Sequence, residues 1–107
     1  MRTFETGATR DDEDDKIDYE GFMHPLVIRA FGEYMHENRL QNDGKLRSSD
    51  NWQKGIPKDA YMKSGWRHFM VWWTAHRTGK TDKKALCALL FNVMGYLFEI
   101  LRKQEQI

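Results

Sequence analysis

Between residues 85 and 101 the chain places apolar side chains around more than half of a helical circumference: Leu86, Leu89, Leu90, Val93, Met94, Leu97, Phe98, Ile100 and Leu101. A helix apolar over so wide an arc must be covered on more than one side. The segment before it repeats the problem. Tyr61, Gly65, His68, Trp72 and His76 fall along one line at helical spacing, and Met62, Trp66, Phe69 and Trp73 fall beside it. A third segment, 25–39, opens on Pro25, a residue suited to the first turn, and carries a stripe of Leu26, Val27, Ala30, Phe31 and Tyr34.

These patterns predict an all-α fold: a small bundle of three main helices over residues 25–39, 57–79 and 82–103, the last one capped by Thr81. Two neighbouring helices within one subunit do not cover both wide arcs. The expectation is a homo-oligomer, dimer or tetramer, in which the third helix and a binding cleft are completed by another copy. A chain of 107 residues holds one domain, and 13% aromatic residues is a heavy apolar load for it.

Charge divides the chain. Residues 1–20 carry three basic and eight acidic side chains, a net −5, and read as an acidic, flexible arm; the remaining 14 basic and eight acidic residues leave +6 on a single helical domain over 21–107. A basic body attracts phosphate, and an acidic arm shields it until a ligand competes. The run Asp11, Asp12, Glu13, Asp14, Asp15 reads as solvated, because consecutive acids converge on a metal only where a fold bends them.

Residues 1–10 have no apolar core of the signal-peptide kind. The apolar stretch from Ala85 onward, broken by Asn92 and Glu99, reads as too short to cross a bilayer. Cys87 has no partner for an internal disulfide and reads as a small buried hydrophobe. Together these point to a cytoplasmic protein without a membrane partner.

The polar residues of the body carry the candidate chemistry. The loop 40–56 is long for a compact domain. Trp52 in its middle predicts that it packs back, while Arg47, Lys54 and the amides of residues 48–51 are placed to grip an anion. His68 and His76 lie two turns apart on the second helix, and Asn92 and Glu99 two turns apart on the third, so these strips face each other or a ligand. Glu33 and Glu37 share one edge of the first helix. They are hard-metal candidates for Mg²⁺ if further oxygens arrive, for instance from Asp82 and Glu99. No P-loop, dinucleotide fingerprint or Ser-His-Asp set is present. Lys45, Arg47, Lys54, Lys58 and Lys63 are basic, but +6 is modest for a duplex binder and no reading motif accompanies them, which argues against nucleic acid.

The segments FETGATRD, KIDYEGF, DNWQKGIP, YMKSGWRHFMVWWTAHR and ALCALLFNVMGYLFEIL resemble the phage-borne family described as the N-terminal domain of dATP/dGTP diphosphohydrolase. That family is similar to the MazG-like, all-helical nucleotide pyrophosphohydrolases. The resemblance implies a helical, usually dimeric or tetrameric enzyme, working in the host cytoplasm if phage-encoded. Its reaction would be Mg²⁺-dependent hydrolysis of a purine deoxynucleoside triphosphate to monophosphate and pyrophosphate.

Carried onto this chain, the catalytic and metal acids would be Glu33 and Glu37, joined by Asp82, Glu99 or His68. Phosphates would meet Lys54, Arg67 or Arg77. The base would stack on Trp52 or on a helix-two Trp such as Trp72, with His68, His76 and Asn92 around it. The chain departs from the pattern where a MazG-like helix carries Glu and, three residues later, Asp: here stand Ala85 and Ala88. The alternative is therefore a non-catalytic, oligomeric protein that sequesters a nucleotide or nucleotide-derived signal.

Overall fold

The start of each long helix is marked in the sequence. The computed structural model describes residues 1–12 and 15–105, so Glu13 and Asp14 of the acidic run lie outside the described residues. In chain order the elements are β1 (Arg2–Thr3), β2 (Thr9–Arg10), α1 (Tyr19–Phe22), α2 (Pro25–Glu37), a 3₁₀ turn (Asn51–Lys54), α3 (Lys58–Arg77) and α4 (Lys83–Glu105). The protein is all-α, built on three main helices, with strand confined to one small hairpin.

Pro25 opens α2, and the ring Nδ1 of His24 accepts the Leu26 amide at 3.1 Å. Helix α3 follows Pro57 and stops at Thr78. Gly79 then adopts φ of 70°, a left-handed turn that lets the Lys80 amide reach back to the Ala75 carbonyl at 2.8 Å. The cap of α4 is Asp82, not Thr81: its Oδ1 accepts the Ala85 amide at 2.9 Å. A carboxylate there also meets the positive end of the helix dipole, which a hydroxyl does not neutralise.

Thr3 pairs with Thr9 across a turn, the Met1 amine meets Asp12 at 3.0 Å, and Asp18 caps α1 through the Gly21 amide at 2.9 Å.

Helices α3 and α4 form a hairpin, with α2 resting against α4. Their seam is narrow. Its buried side chains are Tyr61, Ala85, Ala88 and Asn92, and the Asn92 amide group donates to the Ala88 carbonyl at 2.7 Å. Ala85 and Ala88 thus stand where small side chains let the helices approach, and a carboxylate at either place would be buried in the seam. The Tyr61 ring lies where a Cβ on Gly95 would be, so residue 95 must lack one. Phe91 meets the edges of both Tyr61 and Trp52, at centroid distances of 5.7 and 6.2 Å.

The stripe of α2 is only half covered: Ala30, Phe31 and Tyr34 are half-buried, while Leu26 and Val27 are exposed. Among the described residues no large side chain is fully buried. The radius of gyration is 19.0 Å, where a compact chain of this length has about 13 Å. Over Lys83–Gln104, α4 is by length and composition long and apolar enough to cross a membrane, which corrects the reading of its apolar stretch as too short. The two polar residues that interrupt it, Asn92 and Glu99, are both engaged by protein groups.

Candidate functional site

A cleft of about 910 Å³ lies where α2, the loop 40–56, α3 and α4 meet. The loop is shaped before it packs. Leu40 and Leu46 form an antiparallel bridge, and the Arg47 amide donates to the Arg39 carbonyl at 2.8 Å. The tip turns through Gly44, whose amide reaches the Gln41 carbonyl at 3.0 Å.

Beyond this small hairpin Trp52 packs back as the sequence predicts. Its ring meets Phe98 edge-on at a centroid distance of 4.9 Å. The far end of the loop is tied to α4: Arg102 donates to the Gln53 carbonyl at 3.0 Å, and Glu99 Oε2 accepts the Ile56 amide at 3.4 Å.

One rim of the cleft is cationic. Arg39 donates through Nε to the His36 carbonyl at 3.1 Å and approaches the His36 ring at 3.2 Å. Arg47 donates through Nη1 to the Asn38 carbonyl at 3.2 Å. Both guanidinium groups are thus anchored at the C-terminal end of α2, where unpaired carbonyls favour cations. Each keeps further N–H donors for an anion, since a guanidinium has five. Ser48, Ser49 and Asn51 continue this rim. The lining also includes Trp52 and Phe91, with Ser64 and His68 from α3 and Asn92 from α4. Tyr34 also faces the cleft; burial first, and the neighbouring Cys87 second, push its hydroxyl above the usual tyrosine range, so it stays protonated.

Of the residues singled out from sequence, the cleft brings together Glu37, Trp52, His68 and Asn92, with Arg47, Ser48, Ser49 and Asn51. Its lining comes from a single chain. Glu33, Lys54, Arg67, Trp72, His76 and Arg77 do not line it, and all six are exposed. Asp82 is committed to its cap, and Glu99 holds Ile56 while pairing with Arg102 at 3.6 Å. The four carboxylates considered for Mg²⁺ are therefore not gathered. Among the described residues no three His, Cys, Asp or Glu side chains group to hold a metal.

Sequence reasoning missed Arg39 and Tyr34. The available signal for Arg39 was its place opposite Arg47 across a Gly-containing turn. Tyr34 was assigned to the core stripe, because one helix cannot show which of its apolar residues borders a cleft.

No protein-family model matches the chain, nor does any curated protein or solved structure.

Proposed function

We propose that the protein binds a purine nucleotide in this cleft, with phosphate against Arg39, Arg47 and the 48–51 segment and the base toward Trp52, His68 and Asn92. The observation that carries the reading is that two anchored guanidinium groups and a set of aromatic and polar side chains line the same cleft. A cleft of about 910 Å³ is of the size that accepts a nucleotide. Arginine suits phosphate because its planar fork donates in pairs.

Binding, rather than turnover, is what this arrangement supports best. The diphosphohydrolase activity that the resemblance implies needs several carboxylates around Mg²⁺. In one chain only Glu37 of the acids considered lines the cleft.

Calorimetric titration with dATP, dGTP and their monophosphates, with and without Mg²⁺, tests the proposal, followed by chromatography of the recovered ligand. The expected result is binding, return of unchanged nucleotide, and an affinity lowered about tenfold by Arg47→Ala, the loss of one charge-assisted hydrogen bond. Recovery of monophosphate and pyrophosphate would replace it with the enzymatic reading. Absence of binding across the panel would end both.

A further inference from the structure

We infer that two copies of this chain join face to face through the outer side of the α3–α4 hairpin, making a four-helix core from two half-cores. The argument begins with area. The chain exposes 9292 Å², whereas a folded monomer of 12.8 kDa exposes about 6,300 Å². The surplus is about 3,000 Å². Obligate dimers hide roughly 1,000–2,500 Å² on each partner, so one contact of this class removes most of it.

Part of the surplus lies on one face of the hairpin. A groove of about 530 Å³ runs between the helices, lined by Met62, Trp66 and Phe69 from α3 and Val93, Leu97 and Ile100 from α4. Met62, Trp66, Val93 and Leu97 remain 50–61% exposed. Soluble monomers rarely leave apolar patches of more than a few hundred Å² in water.

The occupant is a second copy because the face is complementary to itself. None of its lining residues is charged, so a two-fold axis brings no like charges together. Trp66 lines the groove and is 61% exposed, so a two-fold axis lays each copy's Trp66 against the other's groove. The nucleotide cleft shares only the buried Asn92 with this groove, and neither Trp66, Val93 nor Leu97 lines it, so the two proposals are tested separately.

Sedimentation equilibrium of the full chain measures the mass, and isotope-filtered NMR of a mixed labelled and unlabelled sample locates the contact. The expected outcome is twice the 12.8 kDa chain mass, with intermolecular contacts from the Trp66 ring to Val93 or Leu97 methyls. Trp66→Glu is expected to reduce the mass to that of one chain, while Val71→Glu, outside the groove, leaves it doubled. If Trp66→Glu fails to fold, the filtered contacts in the unaltered protein still decide. A single-chain mass, a dimer whose contacts lie elsewhere, or a monomer that binds phosphatidylcholine vesicles through this face would each overturn the inference.

Discussion

Replacing Gly95 by alanine tests the seam that holds α3 to α4. In an exposed helix this change is stabilising by about 1 kcal/mol, because glycine is the poorer helix former. Here the added methyl falls on the Tyr61 ring, which is only 3% exposed and is held edge-on by Phe91. Forcing a methyl into a packed site costs about 1–3 kcal/mol. Pushing the ring outward forfeits part of the roughly 2 kcal/mol that its burial contributes. The steric cost wins, and the net expectation is a loss of about 1–3 kcal/mol, or a Tm lower by about 5–15 °C in calorimetry at fixed protein concentration.

A double-mutant cycle isolates the cause. With Tyr61→Ala in place the obstruction is gone, so Gly95→Ala should then raise Tm, by about 4–8 °C. A higher Tm for Gly95→Ala alone, or the same shift in both backgrounds, would refute the account of how the helices approach.

Two further changes test the same framework. The Tyr61 hydroxyl is buried without a hydrogen-bond partner among the described residues, so Tyr61→Phe should stabilise by about 1 kcal/mol in chemical denaturation; a loss of that size would reveal a bond. Burial, and secondarily Glu99, raise the Tyr61 pKa in the folded chain above its ordinary value. That contribution is present below about pH 10, the unfolded value, and is lost as pH rises through the folded one; Tyr61→Phe should flatten the fall in stability measured above pH 10. Removing the α4 cap with Asp82→Ala should cost about 1 kcal/mol and lower Tm by about 5 °C, with Asp82→Ser recovering much of it. No change on Asp82→Ala, with a loss on Thr81→Ala, would return the cap to Thr81.

Much of the fold can be read from local chemistry. Helical spacing of apolar residues, Pro25 and Pro57 at helix starts and Gly79 past a helix end locate the three helices to within two residues, because each signal acts over a single turn. The placement of Trp52 is legible for a related reason: an indole that size is costly to leave in water, so its loop had to fold back. Arg47 and the 48–51 segment were readable as anion donors from composition alone.

What the sequence could not decide is which side chains converge. Glu33 and Glu37 look equivalent on one helical edge, yet only Glu37 borders the cleft; Gly32 and Tyr34 on either side of Glu33 also line it, so Glu33 misses the cleft by its direction around the helix and not by its position along it. His68 and His76 lie on one strip, but the cleft spans only the first. Asp82 and Glu99 carry the right groups for a metal and are spent on a helix end and a loop amide. Periodicity reports which face of a helix is apolar, a property of one element. Which faces meet depends on how closely two helices approach, and here Ala85, Ala88 and the bare Gly95 under Tyr61 decide that, so the site exists only once the α3–α4 seam has closed.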